Sequence, residues 1–167
     1  RGAHARARLR PAVPLDTYLR FFWRTFDRLR ATAADAPDGH PAMPAFFRFM
    51  TLLALNVFSA EELGVDVAII EVGIGGRLDA TNVIERPVVC GVTLIDYDHI
   101  GVLGSTLGAI AKEKGGIFKE GVPAFVIKQP EEPLEALREC AKQAGSPFME
   151  IPPLAAGDAS PGIAGRH

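Results

Sequence analysis

The chain has 167 residues, of which 48% are hydrophobic and 23% charged, with a formal net charge of −2. That length and apolar content suit one domain with a packed core and exclude general disorder. Acids and bases are interleaved, so there is no electrostatic reason for nucleic acid or an anionic membrane as partner, and no apolar run approaches the ~20 residues of a membrane span.

The opening "RGAHARARLR" is rich in Arg and Ala and free of acids. Organellar transit peptides share that composition, and so does the edge of a longer chain, which Arg1 in place of a starting methionine suggests. Residues 1–15 have no clear period and form an N-terminal edge. From Asp16 the text changes, with Leu19, Phe22, Trp23, Phe26 and Leu29 recurring at helical spacing. This predicts an amphipathic helix with Asp16 as its N-cap. "DAPDGHPAMP" is a loop of turn formers. "AFFRFMTLLALNVFSAEEL" predicts a second helix, apolar nearly all round and therefore buried.

Beyond it the pattern alternates. "VDVAIIEV", "PVVCGVTLI" and "VPAFVI" are near-continuous apolar runs of strand length, the texture of parallel strands covered on both faces. "STLGAIAKEKGG" reads as a helix with Ser105 near its start and Gly115 as terminator. "EEPLEALRECAKQAG" carries Pro133 in its first turn, early acids, Lys142 late and Gly145 at its end, which marks another helix. The succession of strand and helix predicts an α/β fold with a mainly parallel sheet flanked by helices. The text from Pro152 is rich in Gly, Ala and Pro, and residues 151–167 read as a disordered tail. Cys90 and Cys140 lack paired spacing and read as two reduced thiols of an intracellular protein.

Working residues of open α/β sheets gather at the carboxyl ends of strands. Glu71 ends the first apolar run, where a carboxylate is costly unless it is paired, metal-bound or already in solvent. Gly73, Gly75 and Gly76 follow it. Their spacing is not G-x-G-x-x-G, because the last glycine position is Leu78, and no Gly-Lys-Ser or Gly-Lys-Thr of a P-loop follows. They read as a tight backbone turn beside a ligand. His99, after Asp98 in "DYDHIGVLG", could ligate a metal, do acid–base work, or rest on a backbone carbonyl. Lys114 lies at a helix end, where the macrodipole alone favours lysine, as it does for Lys112 and Lys119. Asp79, Thr81 and Asn82 read as turn-shaping residues, with substrate contact left open.

The ordered set "EVGIGGRLDATNVI", "DHIGVLGSTLGAIAKEKGGIFK" and "GVPAF" closely resembles the folylpolyglutamate synthases of the Mur ligase family. The likeness runs from about Asp16 to Phe148 and is densest from Val65 to Phe125. "TYLRFFWRTFDRL" and "MPAFFRFMTLLALNVF" are similar to the eukaryotic members. The resemblance implies an incomplete Mur-ligase-like central ATPase domain over residues 16–150. It implies that Glu71 and His99 bind magnesium, that Lys114 is carbamylated and supports the metal, and that the three glycines lie near phosphate and metal. It further implies ATP as cosubstrate, tetrahydrofolate, folylpolyglutamates and L-glutamate as partners, and a monomer when full length. The implied compartment is the cytoplasm, and also the mitochondrion. The implied reaction phosphorylates the terminal γ-carboxyl of a reduced folate, and the incoming glutamate amine then attacks the acyl phosphate.

Three departures matter. Asp96 stands where the family has glycine in Gly-x-Asp-His, which raises the question of a positive φ there. "KGGI" replaces "KAGI", a mild change. The family's P-loop, its folate-loop motif and its C-terminal domain are absent from this text, so the chain alone is expected to be inactive. Competing expectations are a dihydrofolate synthase or bifunctional enzyme, a more distant ligase of cell-wall precursors, and a non-catalytic fragment or isoform.

Overall fold

The computed structural model describes residues 12–37, 39 and 41–152. The Arg-rich opening and the tail from residue 153 lie outside the described residues. The chain divides into two compact units, Arg1–Ile69 and Ile70–His167.

The first unit is a helix pair. Helix α1 spans Leu15–Ala31 and helix α2 spans Phe46–Phe58. Pro14, not Asp16, is the residue before α1, and no side chain caps it; Asp16 sits in the first turn, where its charge still suits the helix dipole. Phe21 and Thr25 are the buried residues of α1, with Tyr18, Phe22, Phe26 and Leu29 packed beside them, whereas Leu19 and Trp23 face solvent. The stripe is thus rotated from the one that apolar spacing alone predicts, because polar Thr25 belongs to it and accepts a 3.4 Å hydrogen bond from Asn56 of α2. Phe22 and Phe49 meet edge to face at 5.1 Å, a favoured aromatic geometry. In α2 only Phe49, Leu53 and Val57 are buried, while Phe46, Phe47 and Leu52 are exposed, so the expectation of all-round burial is not met.

The second unit holds the sheet. Strands β1 (Cys90–Val92), β2 (Ala124–Ile127) and β3 (Phe148–Ile151) lie in the order β1-β2-β3, all parallel. The register pairs Cys90 with Ala124 and Ala124 with Phe148. Between β1 and β2 run a one-turn helix α3 (Ile100–Leu103) and helix α4 (Leu107–Gly115). Helix α5 (Glu131–Ala144) joins β2 to β3. Parallel strands need such crossovers, and the core forms where the helices cover the sheet: Val92, Ile110, Ala124, Val126 and Leu137 are buried together. α4 and α5 pack so closely that a Cβ on Gly115 would stand 2.8 Å from that of Cys140.

The helix ends follow local chemistry. Thr106, one residue after the expected Ser105, caps α4 by accepting from the Ala109 N–H at 3.1 Å. Gly145 ends α5 in the left-handed conformation, as its position predicts. "VDVAIIEV" departs from expectation. Val65–Val72 joins no strand, and Val67 and Ile69 are exposed. The run is apolar enough for a buried strand, but strand identity requires a hydrogen-bonded neighbour, and none pairs with it among the described residues.

Candidate functional site

Glu71 is exposed and leads into the glycine turn. Gly75 has φ 71°, and a Cβ on it would lie 2.9 Å from Cδ2 of Leu103 in α3. A Cβ on Gly76 would lie 2.8 Å from the Glu113 carbonyl oxygen and 3.0 Å from that of Lys114. Glycine is therefore required here for close approach to the end of α4, as well as for the turn itself. The Arg77 N–H donates to the Glu113 carbonyl at 2.8 Å, which fixes the loop against that helix.

Asp79 organises the turn from within. Its carboxylate accepts from the Ile74 N–H at 3.1 Å, the Thr81 N–H at 2.9 Å and the Thr81 hydroxyl at 2.6 Å. Partial burial pushes its pKa up, but the hydrogen bonds from Thr81, Ile74 and Gly73 outweigh it and hold the carboxyl below its ordinary value. The Asn82 amide donates to the carbonyls of Arg77, at 3.0 Å, and Gly116, at 3.2 Å. Asp79, Thr81 and Asn82 are thus shapers of the turn.

His99 precedes α3 with φ 47°, and it alone is non-glycine with positive φ among the described residues. Asp96 therefore does not adopt the conformation that replacing a glycine put in question; its carboxylate accepts from the Tyr97 N–H at 2.7 Å. The His99 carbonyl accepts from Val102 and Leu103 at 2.8 and 2.9 Å, and its Nε2 stands 3.5 Å from Oδ2 of Asp98. Left-handed backbone is uncommon at a non-glycine residue, although histidine adopts it more readily than most, and such conformations cluster at functional sites. Lys114 is half-buried in the last turn of α4.

The fold therefore brings the glycine turn into contact with α3, which follows His99, and with the main chain of Lys114. It does not assemble a ready-made metal cage: no group of three His, Cys, Asp or Glu residues suited to a metal occurs among the described residues. The donor chemistry nevertheless fits magnesium, which is held through one or two carboxylates with substrate phosphates and water completing the shell. Neither the Glu71 carboxylate nor the Lys114 amine has a polar partner among the described residues, so the carboxylate is available to a cation and the amine to a reagent.

No family model matches the chain. It is 49% identical over 144 residues to the mitochondrial folylpolyglutamate synthase of Bos taurus, covering 86% of this chain and 24% of that protein. It is 47% identical over 142 residues to a folylpolyglutamate synthase of Arabidopsis thaliana, covering 84% of this chain and 24% of that one. The solved FPGS-AMPPCP-folate complex matches 84% of this chain and 33% of its own at a TM-score of 0.69, with 34% identity. This chain belongs to the folylpolyglutamate synthase family. It spans about a quarter of the length of the curated relatives it matches, and its three-stranded parallel sheet with flanking helices is a part of the family's Mur-ligase-like α/β architecture.

Two features of this family member escape a reading of the sequence. Arg77 clasps Glu113 through Nη2 and Nε, at 2.8 and 3.2 Å to Oε1. Hydrogen bonding to Glu113, then its charge, raises the pKa of the already permanent cation. Gln129, buried just after β2, accepts from the Ile95 N–H at 2.9 Å and donates to the Thr93 carbonyl at 2.7 Å. It holds the segment that leads from β1 toward Asp98 and His99. Its only signal in the text is a polar residue two places beyond the apolar run "VPAFVI".

Proposed function

We propose that this chain is the magnesium-bearing part of an ATP-dependent ligase that adds glutamate in γ-linkage to tetrahydrofolate and its polyglutamates. The observation that supports this most is the docked glycine turn, flanked by a Glu71 carboxylate and a Lys114 amine that have no polar partner among the described residues, in a chain 49% identical to a folylpolyglutamate synthase. The solved FPGS-AMPPCP-folate complex supports ATP and a folate as substrates here.

In this reading Glu71 and His99 hold magnesium, and the glycines keep the backbone clear of the phosphates. Magnesium, when bound, neutralises charge developing on the transferring phosphoryl group. Lys114, once deprotonated to the amine, would bond through Nζ to the carbon of carbon dioxide and lose a second proton, so that a carbamate carboxylate replaces the ammonium and could support the cation. A γ-carboxylate oxygen of the folate attacks the γ-phosphorus of ATP, and ADP leaves. The glutamate amine then attacks the acyl carbon, the C–O bond breaks, phosphate departs and the amine loses a proton. The full-length ligase is a monomer working in the cytoplasm and the mitochondrion, the latter in keeping with the mitochondrial naming of the Bos taurus relative.

The chain contains no Gly-Lys-Ser or Gly-Lys-Thr, so the triphosphate cradle is not in this sequence. The test is formation of a diglutamyl product from tetrahydrofolate, L-glutamate and Mg-ATP. A complete ligase carrying this segment is expected to form it, and the 167-residue chain is not. Product from the chain alone overturns its inactivity, and none from the complete ligase overturns the function.

A further inference from the structure

We infer that Arg77 and Glu113, supported by Asn82, form a positioning latch that sets the glycine turn, and Glu71 ahead of it, against the helix end that carries Lys114. The two residues are 36 positions apart and each adjoins a residue of the site: Arg77 follows Gly76, and Glu113 precedes Lys114. Three kinds of contact converge on this joint. The Arg77 N–H is bonded to the Glu113 carbonyl at 2.8 Å, and the Arg77 guanidinium to the Glu113 carboxylate at 2.8 Å. Asn82 ties the Arg77 carbonyl to that of Gly116, and Lys119 Nζ reaches the Asn82 carbonyl at 3.4 Å. Finally, Gly116 has no room for a Cβ, because the Arg77 side chain occupies that space.

Stability does not account for the clasp. The Arg77 side chain is 57% exposed, and ion pairs in that setting add little to folding. A two-point guanidinium–carboxylate contact is instead a geometric device, because it fixes direction as well as distance. Residues that orient ligands without touching the metal affect metal affinity or activity by about 10- to 100-fold. The role assigned to the latch rests on the proposed function; its existence does not.

Amide hydrogen exchange over residues 73–83 of the metal-free chain tests the latch itself. R77E and E113R are each expected to speed exchange about tenfold, and the double variant R77E/E113R to restore protection through the reversed pair. Unchanged exchange in the single variants, or a double variant no better than either, overturns the latch. R77Q serves if charge reversal disturbs folding, as judged by circular dichroism; it keeps the first part of the aliphatic stem and removes the charge and the guanidinium fork. In the complete ligase, R77E is expected to raise the half-saturating magnesium concentration about 10-fold or more, with recovery in the double variant. An unmoved magnesium requirement alongside loosened exchange overturns the positioning role. Full activity of Glu71→Ala in the same assay would instead count against the functional reading and leave the exchange result standing.

Discussion

Asp79 shows how one carboxylate can define a loop that has almost no side chains of its own. It takes hydrogen bonds from both ends of the turn, Ile74 on one side and Thr81 on the other, and these hold it ionised. Its folded pKa is depressed, so its contribution is fully present above the ordinary carboxylate value of about 4 and is lost as pH falls through the lower folded value. We expect Asp79→Ala to cost roughly 1 kcal/mol in chemical denaturation at neutral pH. That penalty should shrink in acid below the folded pKa, where the wild-type carboxyl is itself protonated. A penalty that is the same at neutral pH and at pH 2 would contradict the assignment. The turn's other determinants, Gly75 and Gly76, are legible in the sequence as a turn beside something close. That the close objects are Leu103 of α3 for Gly75 and the end of α4 for Gly76 is not legible, because both lie far along the chain.

Among the elements, α5 is where sequence and structure agree best. Its start, Pro133, early acids, late Lys142 and terminal Gly145 are all local signals, and local signals do not depend on the rest of the fold. The strands behave differently. Val65–Val72 has the strongest strand-like text in the chain yet pairs with nothing among the described residues, whereas β3, Phe148–Ile151, carries a mixed pattern that predicts little and nevertheless completes the sheet. Pairing is decided by neighbours, which periodicity cannot report. Gln129 makes the same point for polar groups, since its partners Thr93 and Ile95 lie on the neighbouring strand's extension. Replacing it with leucine leaves the buried Ile95 N–H and the part-buried Thr93 carbonyl without these partners. Gln129→Leu is therefore expected to lower stability by about 1–3 kcal/mol in denaturant unfolding and to broaden the amide resonances of residues 96–99. Stability equal to wild type would mean that water replaces the side chain without cost.

At the scale of the whole molecule, the near-neutral charge and mixed surface gave no partner. The three site residues Glu71, His99 and Lys114 were named by resemblance, not by composition or period. The structure adds physical content to that resemblance. The glycine turn is docked on α3 and α4, Glu71 and Lys114 lack competing partners among the described residues, and His99 sits in a left-handed conformation at a helix start. These features belong to the second unit, whose core is its own. We propose that Glu71 holds the magnesium of a folate–glutamate ligase. The most direct measurement is the rate of glutamate addition to tetrahydrofolate by a complete ligase carrying this segment, with and without Glu71→Ala. The variant is expected to lose at least about tenfold in rate and to require more magnesium. Wild-type rate at wild-type magnesium would contradict it.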